Sequence, residues 1–213
     1  MSGLKLEQHR KIAILIFDEV EVLDFCGPFE VFSVTGQREG EGHFQVYTVS
    51  ETGAAIRARN GLTVTPDYGL ANCPQPDILV VPGGYGTRRE MNNPVIIDWV
   101  RERAAEAELT LSVCTGSLLL GKAGLLDGLD ATTHHDALDL LRRAAPGCRV
   151  RSESRFVDNG QIISSGGISA GIDMAFHVVA RLLGEAQARE TAAHMEYRWI
   201  PEPGVVYETA ARD

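Results

Sequence analysis

The chain has 213 residues, 44% of them hydrophobic, and a formal net charge of −9, which is enough apolar material for the core of one domain. The acidic balance, and the absence of any basic cluster longer than Arg88-Arg89 or Arg142-Arg143, exclude a phosphate-backbone partner, so no nucleic acid is expected. Four scattered cysteines, Cys26, Cys73, Cys114 and Cys148, show no Cys-x-x-Cys spacing, which signals neither a zinc ribbon nor a disulfide framework.

From the N-terminus, Met1 to Lys11 is polar without an apolar signal core, and no apolar run approaches ~20 residues. A soluble cytoplasmic protein with no membrane partner is the expectation. Residues 12–17 read as a buried strand of the parallel type. Next comes Val22-Leu23-Asp24-Phe25-Cys26-Gly27-Pro28, in which an acidic residue interrupts an apolar stretch. Burial raises an aspartate's pKa and hydrogen bonds to its ionised form lower it, so Asp24 is suited either to hold or pass a proton, or to cap the helix predicted over residues 29–34. Asp18, Glu19 and Glu21 read as solvated loop charges.

Residues 44–49 form a second strand, and residues 55–57 and 62–64 a short hairpin across Arg59-Asn60-Gly61. A third strand, 78–81, runs into Val81-Pro82-Gly83-Gly84-Tyr85-Gly86. Adjacent glycines let the amides of Gly83 and Gly84 turn toward a ligand, as an oxyanion pocket requires; a strand-ending turn is the plain alternative. No Gly-Lys-Ser/Thr follows, so this is not a P-loop. A helix over 95–107 carries Ile96, Ile97, Val100 and Ala104 on one stripe.

The apolar strand 109–113 leads directly into Cys114-Thr115-Gly116-Ser117 and a helix over 117–123. A thiol at such a strand-to-helix turn faces the first free N–H groups of the helix and its positive end, so its thiolate is expected to be stabilised, in the manner of a nucleophile elbow. Free cysteines are more often small buried hydrophobes, but the flanking Ser, Thr and Gly fill a core poorly. Ala131-Thr132-Thr133 reads as a strand, and its alternation sends His134 and His135 to opposite sides, so that one of the two faces Cys114. Beyond a helix over 137–144, residues 149–157 and 161–165 form a hairpin across Asp158-Asn159-Gly160. Gly166-Gly167-Ile168-Ser169 opens a helix over 172–183, a second closing helix covers 186–195, and the tail from Pro201 is irregular.

Strand and helix alternate, which predicts one α/β domain over 1–213, core about 11–199, with a doubly wound, mostly parallel sheet covered by helices on both faces. Parallel strands deliver their C-terminal loops to one edge, bringing Asp24, Gly83, Gly84 and His134 toward Cys114. His134-His135-Asp136 lacks the His-x-x-x-His spacing of a helical metal pair, and His177 and His194 lie in amphipathic helices, so no metal is expected.

These segments resemble the ThiJ/PfpI superfamily of class I glutamine amidotransferase-like proteins, and within it the isocyanide hydratase branch. The resemblance rests on Leu23-Asp24-Phe25-Cys26-Gly27-Pro28, Val81-Pro82-Gly83-Gly84, Ser112-Val113-Cys114-Thr115-Gly116-Ser117, Ala131-Thr132-Thr133-His134 and Gly166-Gly167-Ile168-Ser169-Ala170-Gly171-Ile172-Asp173, in family order from about Lys11 to Trp199. It implies a flavodoxin-like sandwich, a homodimer and Cys114 as nucleophile. It also implies Asp24 as the acidic partner, the Gly84 and Thr115 amides as binders of negative charge, and Ile168 at the start of a helix packed near the sulfur.

Departures narrow the branch. Protease-like members carry histidine directly after the cysteine, where this chain has Thr115, and deglycase-like members carry glutamate where Asp24 stands. Sensor domains of transcription regulators share the Thr-Gly-Ser turn but continue into a basic helix-turn-helix domain, which is not expected beyond Asp213. Cys26 stands where the hydratase pattern has threonine. The expected activity is a cofactor-independent lyase reaction on a small electrophile, hydrating an isocyanide to an N-substituted formamide through a covalent Cys114 intermediate. The alternatives are a glyoxalase or deglycase acting on α-oxoaldehydes with help from His134, and a non-catalytic redox or ligand sensor.

Overall fold

Short apolar runs bounded by glycine, proline or charge become strands, and the periodic stretches between them become helices. The computed structural model describes residues 9–37, 40, 42–201 and 205–206. The chain builds β1 (Arg10–Leu15), α1 (Val22–Val34), β2 (Phe44–Ser50), the hairpin of β3 (Ile56–Arg57) and β4 (Thr63–Val64), β5 (Tyr68–Gly69) and β6 (Ile78–Val81). Then come α2 (Thr87–Glu90), α3 (Pro94–Glu106), β7 (Leu109–Val113), α4 (Ser117–Lys122), β8 (Asp130–Ala131), α5 (Leu138–Ala144) and β9 (Arg149–Val150). The last part holds β10 (Phe156–Asp158), β11 (Ile162–Ser165), α6 (Ala170–Leu183), α7 (Glu185–His194) and β12 (Val205–Val206).

The main sheet has the order β12-β10-β11-β7-β6-β1-β2-β5, with every neighbouring pair parallel except β10 with β11. Strands β6 and β7 are buried at every position, as expected of strands covered on both faces. Helices α1, α6 and α7 pack together as one layer and α3, α4 and α5 as another. Ile12, Ile14, Leu15, Phe32, Ile78, Leu79, Leu111 and Phe176 lie fully inside, and each such side chain contributes ~1.5–3 kcal/mol of burial. Strand order reverses around β1, which has β2 on one side and β6 on the other, so a crevice opens at the carboxyl ends of these strands. No described helix is long and apolar enough to cross a membrane.

Several local expectations are corrected. Helix α1 starts at Val22 rather than at residue 29 and keeps Pro28 in its interior. Residues 132 and 133 are not a strand: β8 ends at Ala131 and pairs with β9 in a separate two-stranded sheet. That pairing also takes Arg149 and Val150 out of the predicted hairpin, which shortens to β10 and β11. Helix α6 begins at Ala170. In the tail predicted to be irregular, β12 pairs in parallel with β10; residues 202–204 and 207–213, like the polar N-terminus before His9, lie outside the described residues.

Candidate active site

The turn after β7 is held in a conformation that non-glycine residues avoid. Val113 is extended, and Cys114 turns to φ 55°, a left-handed geometry that costs an L-residue ~1–2 kcal/mol. The surroundings enforce it. The Cys114 amide donates to the Gly166 carbonyl at 3.2 Å, and its carbonyl accepts from Thr133 Oγ1 at 2.9 Å and Ser117 Oγ at 3.2 Å. Gly116 then passes so close to β6 that a Cβ there would lie 1.9 Å from the Val81 carbonyl oxygen. Only glycine fits that approach.

The sulfur faces a pocket of about 190 Å³ lined by Glu21, Arg59, Tyr85, Arg88, His134 and Ile168, among others, with Cys114 itself 6% exposed. Burial pushes the Cys114 thiol well above the usual range, and the Asp24 carboxylate beside it adds to the rise; the Thr115 amide and hydroxyl act in the opposite sense. The expectation of a thiolate stabilised by the helix dipole is therefore corrected. Helix α4 has six residues and follows a 3₁₀ turn, so its field is weak beside the desolvation of the sulfur.

Asp24 is fully buried in the first turn of α1. It is not the cap of that helix, a position held by Glu21. Its Oδ2 accepts from the Gly83 amide at 3.1 Å, while Oδ1 has no hydrogen-bond partner among the described residues. Burial is the main cause that raises its pKa to about 7, with Glu21 adding and with hydrogen bonds from Cys114 and Gly83 opposing. Close to neutrality this carboxyl exchanges a proton readily.

The glycine loop plays a different part from the one its sequence suggests. The Gly83 amide is engaged with Asp24, and the Gly84 amide donates to Thr115 Oγ1 at 3.0 Å, so both hold neighbouring side chains instead of standing open for an oxyanion. A Cβ at Gly83 would come within 2.5 Å of the Thr115 nitrogen and 2.8 Å of Asp24 Oδ2. Position 83 is thus closed to any side chain by the pair it supports.

His134, not His135, reaches the pocket. Because it begins a 3₁₀ turn rather than ending a strand, its ring stacks on His135 at 4.2 Å between centroids, and the two are not sent to opposite sides. His134 Nδ1 accepts from the Asp136 amide at 3.2 Å, so in the neutral ring Nε2 carries the hydrogen and acts as a donor. Burial, then His135, lowers the His134 pKa below 6.5. His134, His135 and Asp136 do bring three ligand-type atoms within 4.8 Å of one another, two of the residues being exposed. Ile168 lies in the turn before α6 and borders the pocket, 38% exposed. Behind it, a Cβ at Gly167 would sit 2.8 Å from the sulfur and 2.6 Å from His134 Cδ2, so contact with the sulfur requires glycine there.

Cys114, Thr115, Gly84, His134 and Ile168 therefore border one pocket, with Asp24 and Gly83 directly behind it. Sequence reasoning gave no site role to Thr133, Thr87, Tyr85 and Arg88, although Thr133 stood in the motif before His134 and Tyr85 was a large aromatic beside the glycine pair. The assembly is a buried thiol next to a proton-holding carboxyl, opening onto a small cavity. It is suited to covalent addition to a small electrophile.

The DJ-1/PfpI family model matches residues 10–181. An isonitrile hydratase of Pseudomonas putida is 35% identical over 191 residues, covering 90% of this chain and 80% of that protein. The HTH-type transcriptional regulator GbdR of Pseudomonas aeruginosa is 30% identical over 91% of this chain, which spans only 51% of the regulator. A crystal structure of a ThiJ/PfpI family protein from Pseudomonas syringae superposes with a TM-score of 0.81 at 30% identity, covering 91% of this chain and 77% of that one.

Proposed function

The chain belongs to the DJ-1/PfpI family, and on that premise we propose that it is a cofactor-independent hydro-lyase that adds water to a small isocyanide, or isonitrile, giving an N-substituted formamide. The observation that carries this reading is the Asp24 carboxyl, fully buried and titrating at about 7, beside the Cys114 thiol. The similarity to the P. putida isonitrile hydratase supports the choice of substrate.

In this reading the turn at Cys114 serves as a nucleophile elbow. Above about pH 7 the pair holds one proton, which the thiol passes to Asp24. The thiolate, favoured by the Thr115 amide and hydroxyl, attacks the terminal carbon; an S–C bond forms and Asp24 delivers the proton to that carbon, leaving a thioimidate. Asp24, again ionised, draws a proton from a water that adds to the same carbon. The S–C bond then breaks, one water proton ending on the substrate nitrogen and the other restoring the thiol. The Nε2–H of His134 is a hydrogen-bond donor to the substrate. Since the Gly83 and Gly84 amides are occupied, negative charge is met at the Thr115 amide. The same reading carries a homodimer in the cytoplasm.

The test is a panel of isocyanides and α-oxoaldehydes, with Cys114→Ala as blank and products followed by NMR. Formamide formed only with Cys114 present supports the proposal. Lactate from methylglyoxal would assign a glyoxalase instead, and a stable oxidised sulfur with no turnover of either class would indicate a sensor.

A further inference from the structure

Asp24 is fully buried and lies behind the pocket, so the carboxylate that borders the pocket is a different one. Glu21 lines the same cavity as Cys114, Thr115 and His134. Its place in the sequence suggests a solvated loop charge, yet it is half-buried. It holds the N-cap position of α1 without capping, since its side chain accepts no helix N–H, and it makes no side-chain hydrogen bond or ion pair among the described residues. The cations of the cavity are engaged elsewhere, Arg59 with Glu19 at 2.8 Å and Arg88 with the Gly84 carbonyl at 3.2 Å. A half-buried carboxylate without a protein partner takes its hydrogen bonds from water.

The backbone of Glu21 is fixed by the loop that also holds the reacting groups. Its amide donates to the Gly83 carbonyl at 2.9 Å, and its carbonyl accepts from the Asp24 amide at 3.2 Å. Gly84 packs so closely that a Cβ there would lie 2.5 Å from the Glu21 nitrogen. The amides of the same two glycines hold Asp24 Oδ2 and Thr115 Oγ1. Glu21, Asp24 and the residue next to the sulfur are thereby set in one frame.

We infer that Glu21 holds the water that cleaves the Cys114 adduct: its carboxylate accepts one hydrogen of that water and presents the oxygen to the carbon bound to sulfur. Asp24 takes the other proton as the O–C bond forms, and the hydrogen facing Glu21 stays on the oxygen in that step. Glu21 is then a catalytic residue of the second half of the reaction only. It has no part in forming the S–C bond.

This role rests on the covalent chemistry proposed above for Cys114, and it is read by separating adduct formation from adduct breakdown. Single turnovers are quenched and the Cys114 adduct is followed by intact-protein mass spectrometry, with ethyl isocyanide and, separately, with p-nitrophenyl acetate, which leaves an acetyl thioester and releases nitrophenolate. In Glu21→Ala, formation should stay within about twofold of the parent while breakdown slows about tenfold or more, the effect of losing one hydrogen bond to a charged group, so that the adduct accumulates. Glu21→Gln keeps one acceptor oxygen without the charge and should slow breakdown about threefold; it serves for the same measurement if Glu21→Ala does not fold. Unchanged breakdown, or an equal loss in formation and breakdown, would overturn the role. If the parent hydrates no isocyanide but its thioester hydrolyses more slowly in the Glu21 variants alone, the substrate proposal is retired and this one stands. A Cys114 that forms no adduct with either reagent overturns both.

Discussion

Two buried aspartates of this molecule have opposite fates. Asp158, at the end of β10, is 2% exposed, yet hydrogen bonds from His177 and the Gly160 amide and the charge of Arg181 hold its carboxyl below the usual range. Asp24, equally buried, pairs with no cation among the described residues and keeps one oxygen unpartnered, and its pKa rises to about 7. Burial opposes ionisation in both. What differs is the supply of donors and positive charge, which Asp158 receives from α6 and the adjoining turn and which Asp24 lacks. A carboxylate that is always ionised anchors strands; one balanced near neutrality moves protons.

The comparison can be tested most strongly through stability. Between 3.8 and about 7 the folded chain holds on Asp24 a proton that the unfolded chain has released, so stability falls as pH rises through that window. Asp24→Asn removes the penalty and should be up to ~4 kcal/mol more stable than the parent above neutrality, the gain vanishing toward pH 3.8. Urea denaturation at several pH values checks this, and a gain independent of pH would show that Asp24 carries no such charge. The same variant should lose ~10²-fold or more in turnover, the share of a general acid–base group; retention of half the parent rate would make Asp24 a bystander.

Next in size is the reverse substitution. Asp158→Asn leaves Arg181 without its counter-charge and should lower stability by ~2 kcal/mol at neutral pH, less than a fully enclosed pair because Arg181 is partly exposed. Its pH dependence has the other sign: the contribution of Asp158 is present above its unfolded pKa and is lost as pH falls through the lower folded value. Turnover should stay within about twofold of the parent, since the site lies elsewhere. A third effect is in the pH profile. On the proposed mechanism, in which ionised Asp24 accepts the thiol proton, the parent kcat/KM should rise about tenfold per pH unit up to about 7 and then level off. Loss of this limb in Asp24→Asn identifies its owner.

The sheet and the turn at Cys114 were legible in the sequence because they depend on patterns close along the chain. The four apolar strand runs and the Asn60 hairpin turn appear where spacing places them. Asp24 was legible as a candidate but not in its setting. Gly27-Pro28 looks like a helix start, whereas the helix has already run for several residues and Pro28 merely withholds an N–H from the Asp24 carbonyl. The directions of the Gly83 and Gly84 amides depend on partners 59 and 31 residues away, which no local pattern encodes. Cys114 was expected to ionise easily on the strength of a helix terminus; the burial that raises its pKa involves chain segments distant in sequence, Gly167 among them.

The left-handed backbone at Cys114 sets the interests of folding against those of chemistry at one codon. Glycine would adopt φ 55° without penalty, so Cys114→Gly should be more stable than Cys114→Ala by ~1 kcal/mol. A library selected for thermal resilience alone, or a design procedure that scores backbone comfort, would therefore drift toward glycine at this position and erase the sulfur as an improvement.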